Sequence, residues 1–384
     1  MFIVFVLGLL RVLFTASGYR VGGATMAMFN LMLGLSRLGV EPILLSTRPA
    51  GRYRRFYSRL SGEGVKLLIA DKELRGLKYW LWLFKEAVKQ IRVNRIHLAH
   101  CHGTKEAFIV GLAARLTGRK MVYTVEGDPL TEAYYNRESF FTKFLLAALF
   151  KLGLMLADLV VGCSNWMAAW IKKQYGVDAI GIWNPIDYDR FQKLRRKPAY
   201  PTVVSVSRLD AVKDVKTLIK AADQVRRVFP DVKFLLVGDG PLRKDYEKLV
   251  EELKLGDNVI FSGFRDDVED ILSSASLVVM TSIYEPFGMA AAEAHAAGRP
   301  VVTAETGGLV EIVKNNVTGF YFKAGDWRGL GSLIVKLLRD RRLWEDMAEA
   351  AAERVKLFTP EAVARRYLKY YRKLLRKPLT LVGG

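Results

Sequence analysis

The chain predicts an α/β fold of two Rossmann-like, doubly wound parallel-sheet domains in series, facing each other across a cleft. Three observations carry that expectation. Short β-branched apolar runs alternate with longer amphipathic ones, the alternation stops once at a proline-bearing charged seam and restarts, and 384 residues exceed what one core usually organises.

In the first half "RVLFTAS" (11–17), "PILLST" (42–47), "VKLLIA" (65–70), "HLAHCH" (97–102), "KMVYTVE" (120–126) and "LVVGCS" (159–164) have the length and composition of buried strands. "ATMAMFNLMLGLSRLG" (24–39) and "KEAFIVGLAARLTG" (105–118) are the helices between them. The seam, "NPIDYDRFQKLRRKPAYP" (184–201), is expected to be strandless. Beyond it come the strands "TVVSVS" (202–207), "KFLLVGDG" (233–240), "VIFSGF" (259–264), "LVVMTS" (277–282) and "RPVVTAE" (299–305), with helices near 217–229 and 241–254 and a turn at "NNVTG" (315–319). Neither sheet requires the last amphipathic stretch, "EAVARRYLKYYRKLLRK" (361–377). The expected domains are 1–186 and 187–358, with 359–384 as a C-terminal helical segment. Ligands of such sheets bind beyond the carboxyl ends of the strands.

Hydrophobic residues at 51% and charged residues at 26% exclude a disordered chain. Cys101 and Cys163 lie far apart and outside any CxxC spacing, which argues against a disulfide scaffold or zinc site and fits a reducing compartment. The formal charge of +20 is uneven, since residues 1–186 hold 25 Lys+Arg against 12 Asp+Glu. A basic surplus attracts polyanions, but no Cys/His finger, RNP-like strand or basic region leading into heptads is present, so nucleic acid is not expected.

The basic residues instead interleave with aromatics, in "RYRRFYSR" (52–59), which carries Arg52, Arg54, Arg55 and Arg59, and in "LKYWLWLFKEAVKQIRVNR" (77–95). That mixture suits an anionic lipid headgroup layer; the alternative is a solvated basic face with its aromatics in the core. "FIVFVLGLL" (2–10) is too short for a spanning helix and lacks the preceding basic residue of a signal peptide. "SFFTKFLLAALFKLGLMLA" (139–157), broken by Lys143 and Lys151, is either a buried helix or one with a face in lipid. The expected location is cytoplasmic, peripheral on the inner face of the cell membrane.

The candidate chemistry gathers at strand ends. "ASGYRVGGAT" places Gly22 and Gly23 at the first βα turn, where exposed N–H groups meet a positive helix end. It is neither a P-loop nor GxGxxG, and a tight turn explains the pair equally well. "SVSRLDAVKD" puts Arg208 just past a strand and Lys213 in the following loop, two cations able to neutralise a diphosphate or simply to face solvent. "VGDGP" supplies Gly238 and Gly240, and "SGF" ends at Phe264, whose backbone is suited to a base edge. "YEPFGMAAAEAHAAGRPVVTAETGG" holds two glutamates, Glu285 at the end of a strand and Glu293 inside the next helix. Phe287, Gly288 and Met289 form that helix start, with Met289, Glu293 and Ala297 on one face. An ionised carboxylate accepts two hydroxyl hydrogen bonds at once, so Glu293 would hold the vicinal hydroxyls of a ribose and Glu285 those of a sugar beyond the diphosphate. The plainer alternative makes Glu285 a helix-dipole partner and Glu293 a solvated charge, which the apolar flanks "AHAAGRP" do not favour.

"EPFGMAAAEAHAAGRPVVTAETGG", with "SRLDAVKD", "VGDGP", "WNPIDYDRF" and "SGYRVGGAT", resembles the retaining, nucleotide-sugar-dependent glycosyltransferases of the GT-B fold, GT4 type, over about residues 11–358. The resemblance implies that Glu285 contacts donor-sugar hydroxyls and Glu293 the ribose. It also implies that Arg208 and Lys213 neutralise the diphosphate, that Gly22 and Gly23 approach it from the first domain, and that the final basic helix crosses back to that domain. Many relatives read Thr-x-His-Gly after the fifth strand, where this chain reads "YTVEGD" with Glu126. Glu126 is therefore a candidate at the reaction centre. His100 and His102 match the family's HxH strand end, or are satisfied core histidines.

The expected activity is transfer of a hexose-type sugar from a UDP- or GDP-sugar to a hydroxyl, with retention and without a metal or other cofactor. The expected acceptor is lipid-linked and met at the cytoplasmic membrane surface. Alternatives are a soluble acceptor, a GT-B-like epimerase or phosphorylase, and a non-catalytic basic binding module.

Overall fold

Both expected parallel sheets are present in the computed structural model, which describes residues 9–17, 22–49, 51–70, 74, 76–135, 138–192, 198 and 201–376. Most of the apolar run 2–10 lies outside them. The chain forms two units, one of residues 1–185 together with 359–384 and one of residues 186–358.

The strands of the first unit are β1 (Arg11–Ala16), β2 (Glu41–Ser46), β3 (Lys66–Ile69), β4 (Leu98–Cys101), β5 (Lys120–Val125), β6 (Leu159–Gly162) and β7 (Ala179–Gly181). They pair in parallel in the order β3-β2-β1-β4-β5-β6-β7. Their connections contain α1 (Gly23–Arg37), α2 (Arg54–Gly62), α3 (Gly76–Val93), α4 (Thr104–Leu116), α5 (Pro129–Tyr135), α6 (Phe140–Leu156) and α7 (Asn165–Tyr175). The direction of winding reverses between β1 and β4.

The second unit begins with α8 (Tyr188–Gln192), a helix inside the seam. Its strands are β8 (Thr202–Val206), β9 (Lys233–Val237), β10 (Val259–Gly263), β11 (Leu277–Met280), β12 (Val301–Ala304) and β13 (Gly319–Phe322), in the order β10-β9-β8-β11-β12-β13 and again all parallel. Its other helices are α9 (Val215–Arg226), α10 (Arg243–Glu252), α11 (Val268–Ser274), α12 (Met289–Ala296), α13 (Leu309–Ile312), α14 (Trp327–Arg339) and α15 (Arg341–Arg354). Here the winding reverses between β8 and β11.

The last helix, α16 (Pro360–Leu375), belongs to the first unit. Side-chain alternation explains how. Val12, Phe14 and Ala16 of β1 and Val122 of β5 share a core with α1 and with Val363, Ala364, Tyr367 and Tyr371 of α16. The opposite face of β5 receives α4 and α6, with the Tyr123 and Phe150 rings 6.0 Å apart, edge to face. Gly34 sets the α1–α16 spacing, because a β-carbon there would lie 2.1 Å from the Pro360 carbonyl oxygen.

Gly34→Ala adds one methyl group against backbone that cannot step aside. We expect it to lower stability by about 1–3 kcal/mol, despite the roughly 1 kcal/mol that alanine gains over glycine in a helix. Urea unfolding of the full-length protein measures the difference, and an unchanged or raised midpoint would contradict this packing.

Candidate functional site

Each sheet gathers polar side chains where its winding reverses, and the second unit holds most of the predicted ones. Arg208 follows β8 and Glu285 follows β11, the two strands that flank the reversal. The loop carrying Lys213 is tied to the segment after β11, since Thr281 donates to the Lys213 carbonyl at 2.6 Å and the Ile283 N–H donates to the Val212 carbonyl at 2.9 Å. Lys213 Nζ accordingly donates to Glu285 Oε2 at 2.7 Å, and Ser282 donates to the same oxygen at 3.2 Å. Arg208 closes a fork on Asp210 Oδ2, at 2.8 Å from Nε and 2.6 Å from Nη2. The two cations thus already carry carboxylate partners, Asp210 and Glu285, which the sequence reading did not assign. The four groups together are formally neutral.

The backbone of Glu285 is fixed by the glycines of "TAETGG". Gly308 N–H donates to the Glu285 carbonyl at 2.8 Å, and a β-carbon on Gly307, whose φ is +54°, would lie 2.0 Å from that oxygen. No other residue permits this approach at that backbone angle.

Helix α12 begins at Met289, two residues later than the sequence suggested, with Gly288 as its N-cap at φ +106°. The N–H groups of Gly288, Met289 and Ala290 have no hydrogen-bond partner among the described residues, as expected of a helix start without a side-chain cap. The Phe287 ring is buried against Phe358, 5.8 Å between centroids, so only its backbone is available to a ligand. Met289 and Glu293 are the longer side chains on the less buried face of α12, whereas Ala297 is buried.

The Glu293 carboxyl is half-buried and has no hydrogen bond or ion pair among the described residues. Burial pushes its pKa from the usual 4.5 up to about 7, Arg190 opposes the rise, and Asp187 and Glu269 add to it. The plain alternative of a solvated charge does not describe this carboxyl.

The glycines divide by role. Gly238, at φ +125°, donates its N–H to the Gly263 carbonyl, and its β-carbon would meet the Ser207 carbonyl at 2.0 Å. Gly240 is pressed against Leu209 in the same way. Both close strand ends together. Phe264 is exposed. In the first unit Gly22 is the N-cap of α1 and Gly23 its first residue, both exposed, with nothing within 4 Å of a β-carbon built on Gly22.

Also in the first unit, His100, His102 and Glu126 are brought together at the ends of β4 and β5. His100 is fully buried, with Nδ1 2.6 Å from the Tyr371 hydroxyl and Nε2 2.7 Å from the Thr124 hydroxyl. Burial, then the neighbouring His102, holds its pKa well below the usual value. His102 Nδ1 lies 2.7 Å from Glu126 Oε1, and Asn184, which sequence reasoning overlooked inside "WNPID", donates to Glu126 Oε2 at 2.6 Å.

The aromatic-basic stretches divide by face. Tyr53 and Tyr57 are core residues, so 52–59 is a basic face with its rings inside; Arg54 and Arg55 are exposed and Arg59 pairs with Glu63 at 3.2 Å. The Arg52 side chain lies outside the described residues. In α3 Tyr79 is buried while Leu77 and Leu81 are exposed. The large exposed aromatic surface is on α6, where Phe140, Phe141 and Phe144 are 85%, 74% and 64% exposed. Among the described residues, no helix is long and apolar enough to cross a membrane.

Comparison with known proteins gives the family. Residues 21–190 match Glycosyltransferase Family 4 and residues 188–354 match Glycosyl transferases group 1. N-acetyl-alpha-D-glucosaminyl L-malate synthase of Bacillus anthracis is 34% identical over 316 residues, 78% of this chain and 80% of that protein. The chain belongs to the group 1 glycosyltransferases. This glycosyltransferase is also 32% identical over 170 residues to the lipopolysaccharide core biosynthesis glycosyltransferase LpsE of Rhizobium meliloti, 44% of this chain and 49% of that one. Its fold is that of Anabaena HepE, solved in complex with UDP and glucose, with TM-score 0.77 at 22% identity over 95% of this chain and 100% of that one. Fold and enzyme class agree with the GT-B expectation, and the readings as an epimerase, a phosphorylase or a binding module give way to a transferase.

The glycosyltransferase should show the Glu293 shift in its stability. Between pH 4.5 and about 7 the folded state keeps a proton that the unfolded state has lost, so this contribution is fully present below pH 4.5 and is lost as pH rises through about 7. Glu293→Gln should therefore gain on wild type as pH increases, by about 2 kcal/mol between pH 5.5 and 8. Urea titrations of both proteins at the two pH values test this. Parallel curves would mean that Glu293 titrates as an ordinary surface carboxylate.

Proposed function

We propose that this enzyme moves a hexose-type sugar from a UDP- or GDP-sugar to a hydroxyl acceptor with retention of configuration, and that it does so without a metal. The observation that carries the donor assignment is the unpartnered Glu293 carboxyl, one helical turn from the open N–H groups of Gly288–Ala290. A half-buried carboxylate without protein partners is costly, and the two hydroxyls of a ribose would satisfy it as it ionises. The helix start suits phosphate oxygens. In this reading Arg208 and Lys213 stabilise the charge on the departing diphosphate, and Glu285, held by Lys213 and Ser282, takes hydroxyls of the transferred sugar. The carboxylate partners hold both cations in place before the donor arrives, which reduces reorganisation during reaction. UDP in the HepE structure and the retaining character of the family that the motifs resemble support the donor and the stereochemistry.

The acceptor is proposed to be lipid-linked and met at an anionic membrane surface, with the enzyme peripheral on its cytoplasmic side. Support comes from α6. Its residues Leu149, Phe150, Gly153 and Leu154 pack inward, while Phe140, Phe141, Phe144, Leu152 and Met155 are exposed, as are Leu112 and Leu116 of α4, the helix it packs against. Helix α6 also carries Lys143 and Lys151. Exposed apolar side chains with basic residues on one helix fit a lipid interface better than they fit water. A relative named for lipopolysaccharide synthesis agrees with this, whereas the relative named for L-malate favours a small soluble acceptor.

Two measurements test the reading. Released nucleotide from a panel of UDP- and GDP-sugars should fall by about two to three decades in Arg208→Ala or Lys213→Ala, the loss of roughly 2–4 kcal/mol of charge-assisted stabilisation. Wild-type rates in these variants would remove the diphosphate assignment. In flotation, the wild-type protein should rise with phosphatidylglycerol-containing vesicles at low salt. Replacing Phe140, Phe141 and Phe144 by Ser should abolish this more completely than neutralising Arg54 and Arg55. A wild-type protein that stays at the bottom of the gradient points to the soluble acceptor.

A further inference from the structure

His102 carries a buried, unpartnered ring nitrogen at the edge of the first sheet. It follows β4, one of the two strands flanking the reversal of winding, and is 9% exposed. Its ring is 4.6 Å from that of His100 and 6.4 Å from Phe14. Nδ1 is engaged by Glu126, while Nε2 is buried and has no partner among the described residues. His100 differs in having both nitrogens committed, to Tyr371 and Thr124.

The partners fix which nitrogen carries the proton. Asn184 can meet the Glu126 carboxylate only through its amide N–H, because an ionised carboxylate is acceptor-only. The other Glu126 oxygen must likewise accept from His102, so the neutral imidazole keeps its proton on Nδ1 and presents a bare lone pair at Nε2. A buried nitrogen of this kind is an empty acceptor. We propose that Glu126 works through His102, holding its tautomer so that Nε2 accepts a hydrogen bond from a sugar hydroxyl of the substrate. This makes Glu126 a positioning residue and His102 the substrate contact. The assignment deepens the nucleotide-sugar reading and rests on it.

The experiment combines a spectroscopic signature with paired substitutions. The chain has four histidines, so 15N-histidine labelling of the full-length protein with single replacements assigns each ring. Wild-type His102 should show the Nδ1–H tautomer. In Glu126→Gln, Asn184 claims the new amide's oxygen, its NH2 turns to Nδ1, and the ring should switch to Nε2–H. Turnover on the UDP- and GDP-sugar panel should then fall at least tenfold, with the thermal midpoint nearly unchanged. Asn at position 102 reproduces the Nδ1 donor but lacks an atom at Nε2, whereas Gln places an amide there. His102→Asn should therefore lose about a hundredfold in turnover, and His102→Gln should recover part of it.

An Nε2–H tautomer in the wild type, or wild-type turnover in His102→Asn or Glu126→Gln, overturns the assignment. A wild-type enzyme that releases nucleotide from none of the sugars overturns the nucleotide-sugar reading and, with it, the substrate contact.

Discussion

Every strand pair in both sheets is parallel, so each sheet presents all its βα turns at a single edge. The site chemistry depends on this constraint. Where winding reverses, neighbouring turns diverge and leave room for side chains to converge. In the second unit the opening lies between β8 and β11, and Arg208, Lys213 and Glu285 occupy its borders. In the first it lies between β1 and β4, with the start of α1 on one side and His102 on the other. Residues more than seventy positions apart, such as Lys213 and Glu285, meet because the turns carrying them are neighbours in space.

At both edges the charged groups are placed by other charged or polar groups. Lys213 is held by Glu285, Arg208 by Asp210, and Glu126 by His102 and Asn184. Glu293 is the exception: a half-buried carboxyl without a protein partner, whose pKa is raised by desolvation. Polar groups that satisfy one another rigidify a site. A polar group left unsatisfied marks where something else is to bind.

The sheets were legible because buried parallel strands read as short unbroken β-branched runs, and all but β7 and β13 stood out; β13, Gly-Phe-Tyr-Phe, has no β-branched residue and was read only as the turn before it. β7, three residues of Ala-Ile-Gly, carries no such signal. The glutamates and cations were legible through motif spacing, but their mutual pairing was not, since it depends on loop contacts such as Thr281 to the Lys213 carbonyl. The aromatics of α2 were open to better reading: Tyr53, Tyr57 and Leu60, at i, i+4 and i+7, form a core stripe. Helix α6 was not, being apolar nearly all round; the burial of Leu149, Phe150 and Leu154, and of Gly153, whose β-carbon would lie 3.3 Å from that of Ala107, shows which side is inside.

Helix α16 completes the core of the first unit although 173 residues of the second unit separate it from β7 and its neighbours. Tyr371 meets His100 and Tyr367 meets Thr124, so the centre of the first sheet is sealed by a helix that follows the second unit. During synthesis the whole of the second unit leaves the ribosome before that helix exists. The first unit is begun before the second and completed after it, and its half-built core must remain soluble while its neighbour folds.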